Sequence, residues 1–518
     1  MSTTSSSGAV STPAAFRPGK LAVPFESDAD LTAYGTIDRL VWEQLARLGI
    51  PPANLSSDAV FLRRVYLDVI GTLPTAAEAA DFLQSQQANK RAALIESLLA
   101  REEFADYWAM KWSDLLRIKA EFPINLWPNA AQAYHRWLRT AIRANRPYDQ
   151  MVRELLTANG SNFRAPQVNF YRALQTRDPQ AIARTVALTF MGARAEKWPE
   201  RRRRDLSVFF SQIGYKATGE WKEEIVFFDP QKKLPVLNPT LPDGRPTRLR
   251  PEQDARIVFA EWLTRTPNPW FAANLVNRLW SWLLGRGIVH EPDDLRPDNP
   301  PSNPRLLAYL QQELIASHYD VKHIYRLILN SKVYQLSSLP PVRSAEAETN
   351  FACYAVRRLD AEVLIDALCQ ITGSTEQYSS AVPEPFTVMP EGTRAIRLPD
   401  GSISSAFLEL FGRPPRDTGL ESERNNRPTA EQRLHLLNSS HIRAKIEQSE
   451  KFKYLLNTYN NPRDIVTGFY LAILSRFPTE NELQIATEHF PTGGGDNRAA
   501  ALDVAWALLN SAEFLYRH

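Results

Sequence analysis

Between Phe411 and Thr429 the sequence reads FGRPPRDTGLESERNNRPT. Arg413, Arg416, Arg424 and Arg427 stand there beside Asp417, Glu421 and Glu423, with little apolar material between them. A guanidinium fork matches the oxygens of a carboxylate, phosphate or sulfate in two-point contact, so converging arginines make an anion site. Glu421 and Glu423 would then supply acid–base chemistry. The same residue types also build a buried arginine–carboxylate lattice tying a loop to its neighbouring helices. The near balance of charge in the stretch favours that lattice.

A second polar cluster, GRGIVHEPDDLRPDNPP, spans Gly285–Pro301. His290 and Asp294 are candidate catalytic partners for the arginine stretch, and Asp293 and Asp298 are hard-ligand types close by. Adjacent aspartates point in different directions in most backbones, and turn formation accounts for the glycines, prolines and aspartates. No metal and no cofactor are expected. No His-Glu-x-x-His, phosphate-cradling glycine loop or Gly-x-Ser-x-Gly elbow occurs. The run Arg201–Arg204 offers charge to a polyanion such as a sulfated glycan, although a solvated helix face explains it as well.

The bulk of the sequence bounds what these clusters can serve. At 518 residues the chain has room for about three domains of ~150 residues. Hydrophobic residues make up 44% and charged ones 23%, as in ordinary globular proteins. Lys and Arg number 61 against 58 Asp and Glu, too even for a generic nucleic-acid binder. No apolar run is long enough to span a membrane. Cys353 and Cys369 are too few for a disulfide framework or a thiolate cage, and whether they pair is left open. The opening MSTTSSSGAVSTPAAFRPGK has no basic start followed by an apolar core, so no secretory signal is read there. It reads as a flexible linker, which fits either a cytoplasmic protein or one whose upstream export signal or domain is missing.

The elements that must position the clusters are helices. Asp178, Asn268, Asn303 and Asn461 each precede a proline, placing an N-cap residue before a first helical position. Thr75 with Glu78, Thr429 with Gln432 and Thr479 with Glu482 have capping-box spacing. Glycines Gly285 and Gly287 stop the helix that contains NLVNRLWSWLL. The best strand is EEIVFFDP, Glu223–Pro230, continuing into a Pro-rich stretch. Phe61, Val65 and Val69 share a helical face and belong to the core; Arg64 and Asp68 have the spacing of a surface ion pair. Trp108, Trp112, Trp262, Trp280 and Trp282 fall on apolar helical spacings and are read as core. The expected architecture is predominantly α: residues 1–36 disordered, a helical domain at 37–215, an extended or hairpin linker at 216–250, and a second helical domain at 251–518. An internal echo joins YLDVIGTLPTAAE (Tyr66–Glu78) to YLAILSRFPTENE (Tyr470–Glu482), each followed by a helix ending in SLLAREEF (Ser97–Phe104) or ALLNSAEF (Ala507–Phe514). That pattern reads as one structural module used twice.

FLRRVYLDVIGTLPTAAEAADFL, FADYWAMKWSDLLRIK and RPYDQMVRELLTANGS resemble the planctomycete-type domain of unknown function 1549. The segment Glu261–Leu310, the stretch LDAEVLIDAL, the arginine-rich motif and the C-terminal ALLNSAEFLYRH resemble its usual partner, the domain of unknown function 1553. The resemblance covers nearly everything after residue 36. It implies an exported protein, periplasmic or extracellular, with a sulfatase-like neighbour or a cytochrome as partner. Many relatives carry Cys-x-x-Cys-His after the helix that here reads IARTVALTFMGAR; this chain has EKWPERRRRDLSVFF instead. Leu420 and Ser422 stand where many relatives have cysteines. Haem attachment and thiolate chemistry therefore find no residues here.

Three functional readings follow. The first is an interaction or scaffold component accompanying polysaccharide or sulfate-ester degradation. The second is a hydrolase or lyase acting on an anionic substrate through 411–429, with Glu421 and Glu423, together with His290 or Asp294; it requires these residues to share one cleft with the arginines. The third is an electron-transfer partner of a cytochrome c, by family analogy alone.

Overall fold

In a computed structural model of the protein, residues 21–491 and 497–518 are described. The fold is predominantly α, with short strands at three places. Side chains cap the helices at most of the positions the sequence marks. Asp178 accepts from Ala181 N at 2.8 Å, Asn303 from Leu306 N at 3.0 Å and Asn461 from Arg463 N at 3.0 Å. Asn268 instead turns the chain two residues earlier, accepting from Trp270 N and Phe271 N before the helix Phe271–Leu284 begins. All three capping boxes form. Gly285 closes the helix Phe271–Leu284 with φ of 84°, a left-handed turn that costs glycine nothing.

Within residues 21–36, expected as part of a disordered segment, Glu26 and Leu31 are buried while half of the residues are exposed. Glu26–Ser27 pairs antiparallel with Leu55–Ser56, and buried Leu31 accepts a hydrogen bond from Trp42 Nε1 at 2.9 Å. Apolar contact and ladder bonds offset the ordering entropy that a Ser/Thr-rich composition alone would leave uncompensated. The rest of that segment, residues 1–20, lies outside the described residues. At the linker, Ile213–Ala217 and Glu224–Phe228 form an antiparallel hairpin with Ile213 opposite Phe228. Gly160–Ser161 adds a third strand against the second, so the linker is sewn back onto the helical region before it.

The helical halves on either side of that hairpin share one continuous core. Trp108 and Trp112 of the helix Glu102–Leu115 pack against Trp282 at centroid distances of 5.4 and 5.6 Å. Tyr148 stacks on Phe271 at 5.1 Å. The five tryptophans read as core are all buried, as are Phe61, Val65 and Val69. Arg64 and Asp68 form no surface pair. Both are buried: Arg64 donates to the carbonyls of Tyr334 and Leu336, while Asp68 accepts from the hydroxyls of Tyr334 and Tyr354 and from Arg517. Tertiary partners far away in sequence outcompete the i,i+4 neighbour.

The internal echo has a physical counterpart. Gly71 and Ser475 occupy equivalent positions and both have φ of 60°. In the first copy Arg101 pairs with Glu78 and Glu103; in the second Arg476 pairs with Glu482 and Glu513. The carboxylates match position for position, while the arginine joining them sits between the helices Lys90–Ala100 and Glu102–Leu115 in one copy and comes from the corner in the other.

Candidate polar cleft

Two helices frame the arginine-rich stretch. Glu102–Leu115 presents Lys111 and Asp114, three residues apart and so on one face. Ala361–Thr372 begins at Asp360 and carries Glu362 in its first turn. The stretch 411–429 crosses both at close range. A side chain at Gly419, where φ is 73°, would fall 2.5 Å from Arg117 Nη1 and 2.8 Å from the Leu115 carbonyl oxygen. That close approach lets the flanking arginines reach carboxylates on both helices.

Arg424 is the keystone. Its Nη1 donates to Glu362 Oε2 at 2.7 Å, and its Nη2 to Asp114 Oδ2 at 2.7 Å and Glu362 Oε1 at 3.1 Å. Arg416 Nε donates to Asp114 Oδ1 at 2.9 Å. Arg413 donates to the carbonyls of Ile403 and Asp400 and lies 3.5 Å from Glu362 Oε1. Burial pulls the Arg413 guanidinium down to about 10, with Arg416 adding to the shift. Against the cost of its own burial, Asp114 and Glu362 hold Arg424 firmly protonated. Arg427 is exposed and forms no ion pair among the described residues. Three of the four arginines are thus spent on a lattice whose carboxylates lie outside the stretch itself.

The stretch's own acids serve elsewhere. Asp417 pairs with Lys119 at 2.7 Å. Glu423 Oε1 accepts from Asp417 N and Thr418 N, shaping the turn; burial raises its carboxyl, and its Oε2 is buried without a partner. Glu421 Oε1 accepts from Trp282 Nε1 at 2.7 Å, and Glu421 N donates to Asp293 Oδ2. Burial raises the Glu421 carboxyl above the usual range.

Glu421, Arg424 and His290 line one cleft of about 250 Å³ together with Lys111, Asp360, Arg357, Arg358 and Arg517. Glu423, Asp294, Arg413, Arg416 and Arg427 do not line it. Asp294 instead pairs with Lys197 and Arg296, and Asp293 is buried against Arg278 at 2.7 Å. His290 stands at the exposed rim, where burial of part of its ring lowers its pKa. Among the described residues no three His, Cys, Asp or Glu side chains converge as a metal site, and no helix is long and apolar enough to cross a membrane. Cys353 and Cys369 are free thiols. Arg202 of the arginine run lies over the Trp198 ring at 3.9 Å, whereas Arg201 and Arg204 are exposed.

The floor of the cleft is a charge network that sequence reasoning did not single out. Asp360 receives Lys111 Nζ at 3.0 Å, Arg517 Nη2 at 3.0 Å and Asn426 Nδ2 at 2.7 Å. Against its burial, Lys111, Arg517 and Arg424 hold this carboxyl well below the ordinary range. Burial pulls Lys111 below the usual lysine value, although Asp360 opposes the shift. Arg358 differs from the other cations. It is 5% exposed and donates to the carbonyls of Phe411, Asn426 and Asn425, with no carboxylate in ion-pair reach among the described residues. Its Nη1 has no hydrogen-bond partner, nor has Arg517 Nε. The available signals were the charge density of RRLDAE before an apolar helix and the lone lysine in WAMKWSDLL.

Residues 36–198 match the model of a family described as a protein of unknown function, DUF1549. Residues 255–490 match that of a second, DUF1553. No curated protein and no solved structure matches the chain.

Proposed function

Since the chain belongs to the family in which DUF1549 is followed by DUF1553, we propose that it acts as a hydrolase or lyase on a small anionic substrate held in the Lys111–Glu421 cleft. One observation carries this reading: five cations, Lys111, Arg357, Arg358, Arg424 and Arg517, line the cleft against three carboxylates, Glu291, Asp360 and Glu421. An excess of positive charge in a partly buried cleft is costly, and an incoming carboxylate, phosphate or sulfate would relieve that cost. Perturbed acids and bases gathered in a cleft are also the usual mark of a reaction site. Glu421, whose burial favours the protonated form, is the candidate acid, with Arg358 among the cations lining the cleft.

The test is ligand-induced stabilisation. Sulfate, phosphate and galacturonate are titrated against the intact protein and its Arg358→Met variant, with thermal unfolding as the readout. A bound anion at a hundred times its dissociation constant stabilises the wild type by about 2.7 kcal/mol. The variant should lose most of that gain. Equal stabilisation of both proteins, or of neither, would sink the assignment.

A second reading, an interaction component accompanying polysaccharide or sulfate-ester breakdown outside the cytoplasm, draws on a different feature. An apolar groove of about 440 Å³ runs past Phe25, Val60, Leu339, Val356 and Tyr516, with Val356 53% exposed. Surface of this kind fits a partner's apolar side chains. Co-purification from cells expressing the neighbouring genes tests it, and recovery of the chain alone counts against it. Fractionation with an antibody to the chain tests the location.

A further inference from the structure

Three aromatic rings meet at the surface, and none of them lines the Lys111–Glu421 cleft. We propose that this cluster, Trp127, Trp221 and Phe386, is a stacking platform for a neutral, β-linked hexose chain. The platform stands independently of the anion-binding reading.

The rings come from separate segments. Trp127 ends the turn before the helix Pro128–Arg143, and Trp221 sits in the loop between the strands Ile213–Ala217 and Glu224–Phe228. Phe386 closes a tight turn, donating its N–H to the Pro383 carbonyl at 3.1 Å. The ring centroids of Trp127 and Trp221 are 4.8 Å apart, and each lies 5.2 Å from that of Phe386. Rings that met only to fill a core would be buried. Trp221 is 62% exposed, Trp127 and Phe386 are half-buried, and Phe122 in the turn before Trp127 is 84% exposed. Aromatic surface gathered in water in this way marks a place that something else covers.

The segments are held by bonds that do not involve the rings. Ala120 N donates to Asp400 Oδ1 at 2.9 Å, and Glu121 Oε1 accepts from Ala381 N at 3.1 Å, tying the Trp127 turn to the chain on both sides of Phe386. Glu223 accepts from the hydroxyls of Ser161 and Thr218, which fixes the loop of Trp221. Trp127 itself has φ of 73° and ψ of 146°, a conformation that side chains other than glycine rarely adopt. Such strain persists where the surrounding structure enforces it, and it gathers at ligand sites. Rings set in place beforehand spare a ligand the cost of ordering them.

The rim selects the occupant. Asn125, Lys222 and Glu384 are exposed, and each stands one or two residues from a ring. Lys222 Nζ lies 5.0 Å from the Trp127 centroid. An amide, an ammonium and a carboxylate together both donate and accept hydrogen bonds, and their charges cancel. Nucleic acid and anionic lipid call for a track of cations, which Glu384 opposes. A hexose suits both parts of the surface. The slightly positive hydrogens of its C–H face settle on the negative face of an indole, while its hydroxyls reach the rim.

Cellohexaose and β-mannohexaose, titrated against the intact protein by calorimetry, test the platform. At least one of them should bind the wild type. Trp221→Ala should weaken that binding by about tenfold or more, and Trp221→Phe, which keeps a ring, should lose less. The second variant separates loss of the ring from loss of the fold. Tyr454→Ala removes an aromatic that is 74% exposed on the separate helix Glu450–Thr458, and should stay within about twofold of the wild type. Binding that Trp221→Ala leaves intact, or that Tyr454→Ala loses equally, overturns the platform. Binding of neither chain overturns it as well. So does Trp221-dependent binding of phosphatidylglycerol vesicles or oligothymidylate in place of the hexose chains.

Discussion

Arg424 meets Glu362 in a two-point ion pair, Nη1 to Oε2 at 2.7 Å and Nη2 to Oε1 at 3.1 Å. The same guanidinium reaches Asp114 on the other helix, so one side chain clasps both halves of the chain. Removing it leaves two buried carboxylates facing each other. Arg424→Ala should cost about 3–5 kcal/mol, the usual penalty for breaking a buried pair. Arg427→Ala, on an exposed side chain a few residues away, should stay within about 0.5 kcal/mol. Urea unfolding of the two variants checks the contrast. A small loss in Arg424→Ala would mean that the clasp is relaxed by water.

Acid should loosen this region through His135. Its ring is buried on the helix Pro128–Arg143 with Nε2 unpartnered. Burial, with Arg416 and Arg139 adding, pulls its pKa down to about 3 from an ordinary 6.5. Between those values the unfolded chain takes up a proton that the folded one refuses. Its contribution is therefore fully present above pH 6.5 and declines as the pH falls towards 3, by up to about 1.4 kcal/mol per pH unit. His135→Leu should flatten that limb of the stability profile. An unchanged slope between pH 6.5 and 4.5 would place the acid sensitivity elsewhere.

The hydrogen bond from Trp282 to Glu421 tunes the candidate acid. It stabilises the ionised carboxylate against the burial that disfavours it. Trp282→Phe keeps an aromatic ring against Trp108 while removing the donor and part of the ring volume. The Glu421 titration, followed by carbon NMR of the labelled carboxyl, should move to higher pH. Stability should fall by about 1–3 kcal/mol, the range for losing a partner to a charged group. A downward shift would mean that another donor replaces the indole.

What was legible in the sequence was local. Thr75, Thr429 and Thr479 cap their helices because their partners sit three residues away. The five tryptophans reveal their burial by helical spacing. The charge density of 411–429 likewise announced a lattice, yet not its partners. Asp114 lies 302 residues from Arg416 and Glu362 lies 62 from Arg424. No periodicity encodes such pairings. Nor could the sequence divide the acids by role: Glu421 turns into a cleft while Glu423, two residues on, closes a turn. The 3₁₀ turn Glu421–Glu423 fixes that division. Lys111 passed unnoticed because a single lysine on an apolar helix usually points its ammonium to solvent. Here Asp360 draws it inward.

The doubled corner makes the sharpest statement about how the fold is built. Thr75 and Thr479 close equivalent boxes, and each →Ala change should cost about 1 kcal/mol. The arginines that lock the corners should not be equivalent. Arg101 is about one-third exposed, so its pairs with Glu78 and Glu103 are screened and Arg101→Ala should cost about 1 kcal/mol or less. Arg476 is 4% exposed and holds Glu482 and Glu513 by two bonds each. Its loss leaves mostly buried Glu513 without its partner, while Glu482, 30% exposed, keeps the Thr479 bonds, and Arg476→Ala should cost about 2 kcal/mol or more. Glu513 follows on the helix that lines the apolar groove, so the same variant should also raise amide exchange at Ala512 and Glu513. Equal costs for the two arginine variants would mean that the corners are held by their apolar faces alone, and that the ion pairs only decorate a junction already made.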